Sequence, residues 1–130
     1  MAITTKAETL GRHVFITSES GMVFAVNATS PDITAGEVVK TAVSGKSIYL
    51  QRYEFQLDGD VTGWFGERLT GSATGTVTRI IGPIMFDTDI PVVHAPPPFL
   101  NPIKVTTGYD LVMDSSGAAS AYAYIEGFSA

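Results

Sequence analysis

The sequence predicts an all-β protein, an antiparallel Greek-key or jelly-roll sandwich of about eight strands in one domain. Three observations lead there. Val, Ile, Thr, Tyr and Phe dominate while Leu, Glu and Lys are scarce, the balance that suits pleated, half-buried strands. The 13 glycines fall at short intervals and cut the chain into strand-length pieces. No window repeats apolar residues at helical spacing without an intervening Gly or Pro.

Residues 1–10 read as a loose polar arm ahead of a single domain, 11–130. Val14 and Ile16 alternate with His13, Phe15 and Thr17 in a first strand. Glu19-Ser20-Gly21 then turns the chain into Met22, Phe24 and Val26, whose period of two fits a half-buried strand. Residues 27–36 are expected to loop around Ser30-Pro31-Asp32, and 37–43 to form a short strand closed by Ser44-Gly45. The clearest element is 47–57, where Tyr53, Phe55 and Leu57 face one way and Arg52, Glu54 and Gln56 the other. Ile48 and Leu50 fall on the opposite phase, which requires either a bulge or cover on both faces.

Asp58-Gly59-Asp60 is a tight turn and 61–69 returns, so this pair is predicted to be a hairpin. After a small, flexible 70–75 comes a strand at 76–81. From 82 to 102 the character changes. Pro83, Pro91, Pro96, Pro97, Pro98 and Pro102 forbid a regular central strand, yet Ile84, Met85, Phe86, Val92, Val93, Phe99 and Leu100 are apolar. This reads as an extended crossover laid over something hydrophobic. A second hairpin follows, 103–114 and 118–128 about a Ser115-Ser116-Gly117 turn. Two hairpins joined by long crossovers make a Greek key, and two keys in one sandwich make a jelly roll.

Composition narrows the function. Only 16% of the 130 residues are charged, against 45% hydrophobic, which suggests outward surface that does not face water; oligomerisation would supply its cover. The net charge is -5, and the basic residues Lys6, Arg12, Lys40, Lys46, Arg52, Arg68, Arg79 and Lys104 are scattered. No stripe exists to neutralise a run of phosphates, so no nucleic-acid partner is expected. The absence of cysteine removes disulfides, thiolate metal sites and cysteine nucleophiles together. Residues 1–10 lack the apolar core of a signal peptide, and apolar runs such as 80–86 are interrupted by Gly82 and Pro83. The chain is expected to be soluble, made in the cytoplasm and without a membrane partner.

No arrangement supports catalysis, and no enzyme activity, cofactor or metal is expected. His13 and His94 lie in no H-x-H or H-x-x-x-H spacing; a cupin-like metal site would need them to meet in space with a carboxylate. Asp58-Gly59-Asp60 and Asp87-Thr88-Asp89 have the form of weak cation sites, but the turn reading outweighs it, since Asp side chains bond to nearby backbone amides in turns. Gly71-Ser72-Ala73-Thr74-Gly75 has no following Lys or helix to make a phosphate loop, and no serine sits in G-x-S-x-G.

Two features stand out for interaction. Pro96, Pro97, Pro98, Phe99 and Leu100 form a rigid apolar stretch, which loses little entropy on docking; packing against its own sandwich is the alternative. In the last strand Ala119, Ala121, Ala123 and Ile125 share one face, with Ser120, Tyr122, Tyr124 and Phe128 on the other. Tyrosines are enriched at interfaces, so Tyr122 and Tyr124 are candidate contacts, although a strand buried within the chain would also look this way.

From about Lys46 onward the order Ile48-Tyr49-Leu50-Gln51-Arg52-Tyr53, Gly82-Pro83-Ile84 with its proline-rich crossover, Gly108-Tyr109-Asp110-Leu111-Val112-Met113 and Tyr124-Ile125-Glu126-Gly127-Phe128 resembles the small jelly-roll decoration (cement) proteins of tailed bacteriophage capsids. The resemblance lies in order and texture rather than in a signature motif, and it brings no catalytic residues with it. It implies a tumour-necrosis-factor-like jelly roll and a homotrimer bound to the major capsid protein on the outer surface of the head, hence a virion location. Several sites engaged at once would raise occupancy by avidity. The arm, which departs from the compact pattern, would then lie along the shell or a neighbour. The alternative is a carbohydrate- or receptor-binding jelly-roll head of a virion, with Trp64 and Tyr109 available to stack on sugars.

Overall fold

The structure, a computed structural model, describes residues 2–4, 15–17 and 22–130. Among them are ten strands and no helix: β1 (Ala2–Thr4), β2 (Phe15–Thr17), β3 (Met22–Ser30), β4 (Glu37–Lys40), β5 (Ile48–Asp58), β6 (Thr62–Leu69), β7 (Thr78–Met85), β8 (Ile103–Lys104), β9 (Tyr109–Ser115) and β10 (Ser120–Ser129). Within the expected arm, β1 is a strand paired antiparallel with β2. The rest of the arm, His13, Val14 and the Glu19-Ser20-Gly21 turn lie outside the described residues.

The other eight strands form two four-stranded sheets, ordered β3-β10-β5-β8 and β4-β9-β6-β7. The pairs are nested: β3 with β10, β4 with β9, β5 with β8 and β6 with β7, all antiparallel. The chain is thus one long hairpin, bent back at the β6–β7 loop and rolled until its successive pairs lie alternately in the two facing sheets. That is the jelly-roll arrangement the sequence predicts.

The route is not the one predicted. β5 and β6 lie in different sheets, as do β9 and β10, so neither expected pair is a hairpin. The tight turns carry the chain across the gap between the sheets. Crossing lets both strands turn their apolar faces to the same gap, where Phe55 and Phe65 meet with ring centroids 4.8 Å apart. The hairpin between sequence neighbours in these sheets is β6–β7, around the 70–77 loop. The expected 27–36 loop begins late, because Asn27, Ala28 and Thr29 remain in register with β10 until Pro31, which has no N–H to donate. β7 likewise runs through Gly82-Pro83 to Met85. It is an edge strand, where a missing donor leaves no ladder bond broken.

The phase break in β5 is a bulge. Arg52 pairs with Glu126 but Leu50 pairs with Gly127, leaving Gln51 as the extra residue. The bulge turns Ile48, Leu50, Tyr53, Phe55 and Leu57 all into the core. Opposite them the alanines at 121 and 123 keep the inner surface of β10 low, and Gly63 on the facing sheet leaves the space that Phe55 and Leu57 fill; a Cβ at 63 would stand 2.5 Å from Leu57 Cδ1.

Gly127 is equally constrained, since a Cβ there would fall 2.1 Å from the Tyr49 carbonyl oxygen and 2.9 Å from Phe24. Its neighbour Ser129 is wholly buried and its hydroxyl has no hydrogen-bond partner. The two positions predict opposite outcomes. Gly127→Ala should lower unfolding stability by about 2–4 kcal/mol, because backbone must move to admit the methyl group. Ser129→Ala should leave stability unchanged or raise it by up to about 1 kcal/mol, because an unsatisfied buried hydroxyl is removed. Urea denaturation of both variants checks the pair.

Candidate interaction surface

The segment joining β7 to β8 is fastened to the sandwich through Phe86, His94 and Phe99. The Phe86 amide donates to the Val61 carbonyl at 2.9 Å, and the Phe86 ring meets Phe55 edge-on at 5.4 Å. His94 exchanges two backbone hydrogen bonds with Phe55, 2.8 and 2.9 Å, as a single-residue extension of the sheet on β5. The Phe99 amide donates to the carbonyl of the bulged residue, Gln51, at 2.8 Å, and its ring centroid lies 5.9 Å from that of Tyr53. The crossover therefore covers the stretch of β5 edge that the two-residue β8 leaves open.

Anchoring some side chains inward leaves others outward. Phe86 is buried and His94 and Phe99 are half-buried, whereas Met85 (86% exposed), Ile90, Val92, Val93 and Leu100 (96%) project to solvent. These five are the majority of the nine large hydrophobic residues exposed among those described. Within the sequence-selected stretch, Pro96 and Phe99 are half-buried while Pro97, Pro98 and Leu100 are exposed. One side of 96–100 thus packs on the sandwich and the other faces out. The sequence reading did not select Met85, Ile90, Val92 and Val93 as contacts, because no periodicity told inward from outward in a proline-rich segment.

Tyr122 and Tyr124 lie elsewhere, on the outward face of the β3-β10-β5-β8 sheet, with β5 between them and the crossover. Tyr124 is 1% exposed in the single chain. Its hydroxyl donates to Glu126 Oε1 at 2.7 Å and the Arg52 guanidinium sits 5.5 Å from its ring centre. Arg52 also pairs with Glu54 at 2.5 Å and with Glu126 at 3.5 Å, and the half-buried Tyr122 donates to Glu54 Oε1 at 3.4 Å. This face is knitted together within the chain, and Tyr124 presents almost no surface to a neighbour.

The other sequence candidates are also engaged. His94 Nε2 lies 3.1 Å from the Tyr53 hydroxyl, whose pKa is pushed up by burial, while His13 is outside the described residues. No cluster of three or more His, Cys, Asp or Glu fit to hold a metal ion occurs among the described residues. Trp64 carries the Arg79 guanidinium over its ring at 4.2 Å, and Tyr109 packs against the core. Arg68, which no sequence pattern marks, is 5% exposed and donates to the carbonyls of Ala35 (3.1 Å) and Gly36 (3.4 Å), tying that loop across the second sheet.

Both D-x-D sequences make turns, and the structure joins them. Asp60 Oδ1 accepts from the Thr88 amide and the Thr88 hydroxyl, each at 2.8 Å, while Asp87 Oδ1 accepts from the Asp89 amide at 2.9 Å. Asp60 therefore holds the start of the crossover to the β5–β6 turn.

Comparison with known proteins gives no match to a family model, to a curated protein or to a solved structure.

The Asp60–Thr88 contact has a pH signature. The amide and hydroxyl of Thr88 favour the carboxylate, so the pKa of Asp60 lies below its ordinary 3.8. The contact is then fully present above pH 3.8 and lost as pH falls through the depressed value. The Thr88 amide resonance should titrate with a midpoint below 3.8, and that low-pH step should vanish in Asp60→Asn. A midpoint above 3.8 would remove the contact from solution.

Proposed function

We propose that this chain is a virion structural protein, a capsid decoration (cement) protein that binds the outer surface of a tailed-phage head as a homotrimer and stabilises it. The observation that carries this reading is the end of β7 and the crossover that follows it, where Met85, Ile90, Val92, Val93 and Leu100 are exposed on one continuous stretch of chain. Scattered apolar residues are ordinary on a surface, whereas a group of them on one rigid segment marks an interaction site.

Rigidity supports the same reading. Phe86, His94 and Phe99 already fix the segment on β5, so docking orders little that was free and more of the burial is retained as affinity. The scarcity of charge, 16% of residues, agrees with a surface that is covered in its working state. A trimer would offer three such segments, and simultaneous engagement of several shell sites gives high occupancy from modest individual contacts.

Light scattering of the purified protein should give a mass three times that of the chain, and the protein should co-sediment with phage heads stripped of their accessory proteins. The double variant Val92→Ser, Leu100→Ser should keep the urea stability of the parent and lose roughly tenfold or more in association. A solitary chain in dilute buffer that stays in the supernatant with every head tested would defeat the proposal.

A further inference from the structure

We propose that a groove at one end of the sandwich docks a protein segment whose aliphatic side chain is flanked by lysine or arginine. This rests on the reading of the crossover as a docking element and adds the chemistry of the partner. The groove, about 540 Å³, lies where three pieces of chain converge: Asp60, Val61 and Thr62 after the β5 turn; Met85, Phe86, Asp87 and Asp89 from β7 into the crossover; and Ser116 after β9.

The three pieces are locked to one another. The Thr62 amide donates to Ser116 Oγ at 2.9 Å and the Ser116 amide donates to the Thr62 carbonyl at 2.8 Å. The Phe86 amide holds the Val61 carbonyl, and Asp60 holds Thr88. The shape is therefore formed before anything binds.

Its lining is split by chemistry. Val61 and Phe86 are apolar and at least partly buried, and beside them Met85 stands 86% exposed. A thioether side chain is adaptable and suits contact with varied aliphatic partners. Around it stand the three carboxylates of Asp60, Asp87 and Asp89, with no Lys, Arg or His among the described lining residues. None of the three has an ion pair among the described residues.

Charge decides the occupant. A second copy offering the same groove would set three carboxylates against three, in a chain already at -5. A bare cation would leave the exposed Met85 uncovered. A basic segment with an aliphatic residue between its cations satisfies both parts: the aliphatic side chain covers Met85, and the flanking cations face the carboxylates.

The test is amide-resonance titration of the full chain with a hexapeptide alternating lysine and leucine. Two control hexapeptides alternate glutamate with leucine and lysine with serine. Shifts should concentrate at 60–62, 85–90 and 116 with the first peptide. Asp89→Asn and Met85→Ser, both at exposed positions, should each weaken it by roughly three- to tenfold. Raising salt from about 0.05 M to about 0.5 M should weaken it as well. Equal binding of either control peptide, or shifts absent from those residues, would overturn the assignment. If the peptide fails while association with heads persists, the groove assignment alone falls; if the peptide binds while the protein neither trimerises nor meets a shell, the capsid reading falls instead.

Discussion

The structure depends on two aromatic side chains of one strand. Tyr53 and Phe55, in the middle of β5, reach across the gap to Phe65 of the other sheet, at 5.1 and 4.8 Å between ring centroids. The same two rings receive the crossover: Phe86 meets Phe55 at 5.4 Å and Phe99 meets Tyr53 at 5.9 Å. Each aromatic pair contributes about 0.5–1.5 kcal/mol beyond the burial of its surface. Truncating a buried phenylalanine costs about 3–5 kcal/mol. The three backbone bonds that also tie the crossover to β5 are worth about 1 kcal/mol each, net of what water would give. The rings hold the segment in place, and the hydrogen bonds fix its register.

The bulge at Gln51 makes that arrangement possible. Without the extra residue, either Ile48 and Leu50 or Tyr53 and Phe55 would face outward, and half of the β5 contribution to the core would be lost. Gly127 lies directly across from the irregularity, where any side chain would strike the Tyr49 carbonyl. The bulged residue also supplies the carbonyl that takes the Phe99 amide. A break in alternation, visible in the sequence, thus leads to a bend in a central strand and then to the fastening of the exposed segment.

Much of the fold was legible, and what escaped has a physical reason. Alternation marked β5 and the faces of β10, and the phase break announced the bulge. The two expected hairpins were misread because a tight turn such as Asp58-Gly59-Asp60 has the same chemistry whether it joins neighbours in one sheet or strands of facing sheets. The clue to the facing arrangement was Gly63, in the middle of an otherwise bulky strand, but it becomes informative only once Phe55 and Leu57 are known to occupy the space. For the site, the apolar, proline-rich character of 82–102 was plain. Which side chains turn inward was not, since Phe86, His94 and Phe99 follow no period. Tyr124 is engaged by Arg52, on a neighbouring strand, and by Glu126, two residues along, and composition alone cannot tell such a covered tyrosine from an interface one.

Where the few charges sit agrees with the proposal that this sandwich meets its partner at an edge rather than on a face. On the outward face of the first sheet Arg52 pairs with both Glu54 and Glu126 beside Tyr124. On the second sheet Arg79 lies over Trp64, and Arg68 is held by two backbone carbonyls. These cations are spent inside the molecule. The carboxylates of Asp60, Asp87 and Asp89 have no cation partner among the described residues at the start of the crossover, beside the exposed Met85. Exposed apolar surface gains from being covered and the neighbouring carboxylates favour a positive partner, so the proposed aliphatic and basic segment would suit both.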